Sequence, residues 1–191
     1  MFATMSNLFV EPIASEEELR RGATTEELEV VARFASEHRR REALAWRGVV
    51  RRELGDECTI GYDEWGAPVV DIAERYISVS HCDKFVAVLI SDKPCGVDIE
   101  SCSRNFGRVE ERYMSDRERS LSTDKDWAAM VWSAKEALYK LYRQGGIDFL
   151  KDITVVSYDA TSQLIGATLP NKECVAVRIE KRGGYLVAST L

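Results

Sequence analysis

Strand-like alternation and helix-like periodicity come in blocks along this chain instead of alternating one for one. An apolar stretch, NLFVEPIA at 7–14, opens it. Two short helical segments follow, SEEELRR and TTEELEVVARFA, each begun by a capping hydroxyl with acids in its first turn. A third helix is predicted over 37–53. Short strands are predicted at 58–62 and 66–70, longer ones at 77–80, 85–90 and 95–100, then helices over 107–121 and 124–143. The tail returns to strands in ITVVSYD, LIGATLP, ECVAVRIEK and GYLVASTL, with Gly183-Gly184 as a hairpin turn. Runs segregated in this way predict an α+β fold rather than a doubly wound parallel sheet. They also divide the chain into an N-terminal lobe, 1–95, and a C-terminal lobe, 96–191.

The 191 residues, 45% of them hydrophobic, are enough to bury a core without disulfide staples. Acids outnumber Lys+Arg by 32 to 26, a net charge of −6, which argues against general binding to nucleic acid or anionic membranes while leaving room for a local basic pocket. No apolar run approaches the ~20 residues of a membrane span. The start, MFATMSNLFVEPIASEEE, has neither a basic n-region nor a long apolar stretch, so no signal peptide is expected. The five cysteines (58, 82, 95, 102 and 174) form no C-x-x-C pair, and only His38 and His81 could complete a zinc site with them. Reduced structural thiols in a cytoplasmic protein are the expectation. Cys82 follows His81, but neighbours on a strand point to opposite faces, which disfavours a Cys–His catalytic pair.

Chemistry enters with Gly96-Val97-Asp98-Ile99-Glu100. On a strand, Val97 and Ile99 face the core while Asp98 and Glu100 share the other face, their Cα atoms about 6.6 Å apart. Carboxylates so placed repel unless a cation joins them, and oxygen ligands suit Mg²⁺ or Mn²⁺. A solvated edge strand would display the same pattern. In the helix over 124–143, Trp127, Val131, Ala134, Leu138 and Leu141 form one core face. Trp132, Glu136 and Lys140 form a second stripe roughly opposite. A tryptophan there implies that this stripe is covered or lines a cleft. Glu136 and Lys140 read equally as an exposed i,i+4 ion pair or as a third carboxylate and a phosphate-binding ammonium. His81 ends an apolar strand and suits either an anion contact or a hydrogen-bonded loop. The helix over 37–53 carries six Arg against three Glu, after a segment, 11–29, with seven acids and two Arg. A basic helix in an acidic protein is a candidate phosphate site, or the ion-pair partner of the acids before it.

Taken in order, several stretches resemble the 4'-phosphopantetheinyl transferase superfamily in its two-lobed monomeric type. They are Arg41 to Arg47, Tyr62 through Gly66-Ala67-Pro68, Ile77 to His81, Gly96 to Glu100, Arg112 to Glu118, and Trp132-Ser133-Ala134-Lys135-Glu136-Ala137-Leu138-Tyr139-Lys140. The resemblance implies two similar lobes related by a pseudo-twofold, with coenzyme A in the cleft between them. It implies transfer of the 4'-phosphopantetheine group to a serine of an apo acyl or peptidyl carrier protein, with release of adenosine 3',5'-bisphosphate. By the same resemblance Asp98, Glu100 and Glu136 hold Mg²⁺ (or Mn²⁺), and Asp98, Glu136 and Lys140 form the catalytic set. Lys135 and Lys140 meet the cofactor's phosphates, Ser80 and His81 contact them, the Gly66-Ala67-Pro68 turn passes the adenine, and Arg41 pairs with the 3'-phosphate. This chain has Ala67 where the turn usually carries Lys, Tyr113-Met114 where two aromatics are usual, and acids ahead of the Arg41 helix. The rival readings are a non-catalytic module binding coenzyme A or a carrier protein, and an unrelated metal-dependent nucleotide hydrolase.

Overall fold

The computed structural model describes residues 6–191; the first five residues of the N-terminal segment read above for a targeting signal lie outside them. Strand β1 (Ser6–Pro12) leads into α1 (Glu16–Arg21) and α2 (Thr25–Ala32). Ser15 and Thr24 cap these helices through reciprocal bonds with Glu18 and Glu27, so each pairing of hydroxyl and acid satisfies two otherwise orphaned amides. Helix α3 (Glu37–Leu54) is followed by a two-stranded hairpin, β2 (Ile60–Tyr62) and β3 (Pro68–Val70). Strands β4 (Tyr76–His81) and β5 (Phe85–Ser91) pair antiparallel, and β1 joins the other edge of β5, giving the order β1-β5-β4. Ala45, Trp46, Val49 and Val50 of α3 pack on Ile77, Val86, Val88 and Ile90 of this sheet.

The second half begins with β6 (Val97–Ser101) and ends with β7 (Thr154–Asp159), β8 (Leu164–Thr168), β9 (Cys174–Arg182) and β10 (Tyr185–Thr190). They form one antiparallel sheet in the order β6-β10-β9-β8-β7. With three antiparallel sheets and helices gathered in runs, the architecture is α+β. Helix α5 (Trp127–Tyr142) crosses the five-stranded sheet, burying Trp127, Met130, Val131, Ala134, Ala137 and Leu138 against Val155, Ile165, Val177, Ile179 and Leu186. The positive-φ conformation of Arg143 ends it.

Only part of the helix predicted over 107–121 forms. Two single 3-10 turns, at Phe106–Arg108 and Glu110–Arg112, precede the short α4 (Asp116–Arg119). Ser115 is the cause: its side chain and Glu118 make a third capping box, which starts a new helix at 116 and breaks the old one before it. Burial of Tyr113 and Met114 holds the intervening backbone in place.

The two larger sheets share a core. Ala87 and Leu89 of β5 meet Val97 and Ile99 of β6 and Val187 of β10. The Ser78 hydroxyl in β4 accepts the Val97 amide at 3.0 Å. Gly96 sets the other contact of β6: a Cβ there would lie 1.9 Å from the Ala137 carbonyl oxygen in α5, so strand and helix approach as closely as they do only because residue 96 has no side chain.

Candidate active site

A cavity of about 720 Å³ opens where the end of β4, the β2–β3 turn, β6, α3 and the outer stripe of α5 converge. Asp98 and Glu100 enter it from β6, and Trp132, Glu136, Tyr139 and Lys140 from α5. The period-two arithmetic for the strand therefore holds: Val97 and Ile99 are in the core and the two acids share the cavity face. The second stripe of α5 also faces the cavity.

Asp98 is 4% exposed. Its Oδ1 accepts from the Ser80 hydroxyl at 2.8 Å and from the Lys140 ammonium at 3.0 Å, while the buried Oδ2 has no hydrogen-bond partner. Lys140 also donates to the Val97 carbonyl at 2.9 Å, which fixes its head over the strand. Glu100 accepts from the Trp132 indole at 2.9 Å and from Arg104. Burial, and then the charge of Asp98, raise the Glu100 carboxyl above its ordinary range. Glu136 goes further, to about 7, because burial disfavours its charge and Asp98 and Glu100 repel it against the pull of Lys140 and Arg104. Trp132 is accounted for by packing as well as by its bond to Glu100: Tyr113 meets it edge-on at 5.1 Å, and Phe106 and Phe149 flank it.

Ser80, His81 and the Gly66-Ala67-Pro68 turn all line the cavity. The turn is held by Asp63, whose side chain accepts from the Trp65 and Ala67 amides at 3.0 and 2.8 Å, with Gly66 at positive φ. Trp65, 57% exposed, stands at this rim against Gly145.

Two residues expected in the cofactor site are not in the cavity lining. Arg41 turns away and donates to the Ile13 and Ala14 carbonyls at 3.0 and 2.9 Å. It lies 200° around α3 from Arg39, which does line the cavity, whereas Trp46 is seven residues on from Arg39 and shares its face. Lys135 is fully buried. Its ammonium bonds Glu118 at 2.7 Å and the Tyr113 and Phe149 carbonyls at 2.6 and 2.8 Å. Spaced four residues from Val131 and three from Leu138, it belongs to the core face of α5 and ties that helix to α4.

Three of the other arginines in α3 are also spent. Arg40 pairs with Glu16, Arg51 with Glu27 and Arg52 with Glu11, so for these the ion-pair reading of the basic helix is the right one.

The cavity also holds residues that the sequence reading did not single out. Arg143 donates to the Ile77 carbonyl at 2.9 Å and keeps a buried Nε without a partner. It extends the 132/136/140 stripe by three residues, so the helical period carried the signal. Arg104, four residues past Glu100 but beyond the strand, left none. Among the described residues no three His, Cys, Asp or Glu side chains are drawn together into a ready-made metal cage.

Residues 94–189, half of the chain, match the 4'-phosphopantetheinyl transferase superfamily. The match covers β6, α5 and every strand of the five-stranded sheet, and the chain belongs to this superfamily. It is also 29% identical over 89 residues to "4'-phosphopantetheinyl transferase gsp" of Aneurinibacillus migulanus, a segment covering 44% of this chain and 37% of that protein. No helix among the described residues is long and apolar enough to cross a membrane.

Proposed function

We propose that this protein transfers the 4'-phosphopantetheine group of coenzyme A to a serine of an apo acyl or peptidyl carrier protein, releasing adenosine 3',5'-bisphosphate, as a Mg²⁺- or Mn²⁺-dependent enzyme of the cytoplasm. The observation that carries the reading is the meeting of Asp98, Glu100, Glu136 and Lys140 on one cavity, within the segment that matches the superfamily. On this reading residues 1–95 and 96–191 are two lobes related by a pseudo-twofold, and the cavity is the cleft between them.

The residues present fit a hard divalent cation. Three carboxylates supply oxygen donors, Asp98 Oδ2 is buried without a partner, and the mutual repulsion that raises Glu136 is what a bound cation would remove. Asp98, Glu100 and Glu136 would hold it, with Lys140 and Arg104 giving up their present contacts to the first two. The metal, when bound, supplies positive charge to the pyrophosphate and a Lewis-acid contact to the phosphoryl oxygen.

The chain's own groups do the remainder. Lys140, Arg143 and Arg39 line the cavity as cations for phosphate oxygens, lowering the cost of the negative charge that spreads as the phosphorus–oxygen bond breaks. Ser80 orients Asp98 through its hydroxyl. The carboxyl of Glu136, raised to about 7 before a cation binds, would accept the proton of the attacking serine only while it is not holding the cation, so its two proposed duties compete. The β2–β3 turn with Trp65 forms the rim against which the nucleotide end of the cofactor would rest.

Incubation of the protein with coenzyme A, Mg²⁺ and a panel of apo carrier proteins tests this. A carrier that gains the mass of one phosphopantetheine group supports the reading, and coenzyme A binding without transfer to any carrier points to the non-catalytic module instead.

A further inference from the structure

Both histidines of the chain, 43 residues apart in sequence, converge on one carboxylate that nothing above uses. Glu42, on α3, is 5% exposed. Its Oε1 lies 2.8 Å from His38 Nε2 and 2.9 Å from His81 Nδ1, and its buried Oε2 has no hydrogen-bond partner, the nearest cation being Arg39 at 3.9 Å. His38 is half exposed, whereas His81 ends β4 and lines the cavity.

An ionised carboxylate offers only acceptors, so the ring nitrogen facing it must carry a hydrogen. Holding Nδ1–H of His81 on Glu42 leaves Nε2 as the nitrogen available to the cavity. In the neutral ring that nitrogen is a bare lone pair, which repels a phosphate oxygen; it becomes a donor only when the ring is charged. We infer that Glu42 is a positioning residue that holds His81 in the Nδ1–H form, so that a phosphorylated ligand entering the cavity at His81 binds with uptake of one proton from solvent onto Nε2. This rests on the proposed function in taking coenzyme A as that ligand.

The surroundings decide the direction. Facing His81 are Glu42, Arg39 and His38 from α3, Lys140 from α5, and, through the neighbouring Ser80, Asp98 of β6. Burial pulls the ring below the usual histidine value; Arg39, Lys140 and His38 pull the same way, and Glu42 opposes them. The free ring is therefore neutral at physiological pH and the proton arrives with the ligand. Glu42 lowers the penalty of that charge by standing beside it.

Because the chain has two histidines, nitrogen-15 NMR of the labelled full-length protein gives two imidazoles, assigned with His38→Asn. The ligand-free protein is expected to show His81 as the Nδ1–H tautomer. Titration calorimetry of coenzyme A in buffers of different ionisation enthalpy should then show uptake of close to one proton at neutral pH. The affinity should weaken about tenfold per pH unit between the pH at which the free ring loses its proton and the higher pH at which the bound ring loses it, and level off above that. Glu42→Gln should move this pH profile to lower pH, so that coenzyme A binding falls about tenfold at pH 7.5 and is recovered by acidifying about one unit. An Nε2–H tautomer for His81, or a Glu42→Gln profile that coincides with the wild type, overturns the inference. If Glu42→Gln does not fold, the wild-type tautomer and proton count decide. If coenzyme A does not bind at any pH, the proposed function fails, and the ligand-free tautomer still decides the role of Glu42.

Discussion

Glu136 is the residue on which most of the chemistry converges, and its environment makes a stability prediction independent of activity. Its folded-state carboxyl titrates at about 7 against an ordinary 4.5. Between those values the folded protein binds the proton that the unfolded chain has already released, so the residue's contribution to stability falls as pH rises through that window. The full loss, reached above pH 8, is at most about 3 kcal/mol. Glu136→Gln, which keeps the shape and removes the charge, should therefore be no more stable than wild type near pH 4.5 and progressively more stable towards pH 8 in chelator-treated buffer. Thermal unfolding across that range checks it; parallel curves would mean that burial and the neighbouring carboxylates do not raise the Glu136 carboxyl. Mg²⁺ should add stability mainly at the alkaline end, where the carboxylate is free to bind it. Lys140→Ala should cut the rate of transfer by at least about tenfold if its ammonium meets developing phosphate charge, which corresponds to the weak end of single-contact losses.

Elements carry the site through two contacts. The first is Gly96 against Ala137. Gly96→Ala places a methyl group 1.9 Å from a helix carbonyl, where no side chain can move aside. A loss of about 3 kcal/mol is expected, seen as a lowered denaturation midpoint. The folded fraction should also bind Mg²⁺ less well, because β6 brings Asp98 and Glu100 while α5 brings Glu136. The second is the Lys135–Glu118 pair between α5 and α4. Leaving one charge of a buried pair without its partner costs about 3–5 kcal/mol, so Lys135→Ala should destabilise strongly. Coenzyme A affinity, measured by calorimetry on folded protein, should remain that of the wild type, since Lys135 lies outside the cavity.

Both elements were legible in the sequence to different depths. The alternation in β6 and the two stripes of α5 follow from fixed periods, so spacing alone puts Asp98 and Glu100 on one strand face and Trp132, Glu136 and Lys140 on one helix stripe, while the expectation that the two meet comes from the resemblance. The same arithmetic, applied to the spacing of Lys135 from Val131 and Leu138, places it in the core; the resemblance carried it to the cofactor instead. The place of Arg41 outside the cavity lining was hidden for a related reason. The composition of α3 marks a basic helix, but which arginine faces the cavity depends on where α1 and β1 lie, and the Ile13 and Ala14 carbonyls that capture Arg41 come from another element. Ser115 followed by Glu118 three residues on is itself a helix-start signal, which is why the helix predicted over 107–121 is interrupted there.

At the scale of the whole molecule the net charge of −6 averages over two separate local arrangements. On the outer face of α3, acids from residues 11–29 neutralise Arg40, Arg51 and Arg52. Around the cavity, three carboxylates stand among Lys140, Arg104, Arg143 and Arg39. On the proposed function, a triply phosphorylated ligand would meet a cationic rim above three carboxylates inside an acidic protein, a balance that the total conceals. Contacts between distant residues, such as Glu42 with His81, belong to this scale too, and no period within one element could have announced them, whereas His38 and Glu42 are an i,i+4 pair on α3.

The central claim is that this cavity moves a phosphopantetheine group from coenzyme A to a carrier protein. Its most direct test is intact-mass analysis of an apo carrier protein after incubation with the protein, coenzyme A and Mg²⁺, beside Glu136→Ala as a folded control. The account predicts a carrier carrying one phosphopantetheine group on its serine, adenosine 3',5'-bisphosphate in equal amount, and neither product with Glu136→Ala. Unmodified carriers of the fatty-acid, polyketide and peptide types throughout, or adenosine 3',5'-bisphosphate released without any carrier present, would contradict it.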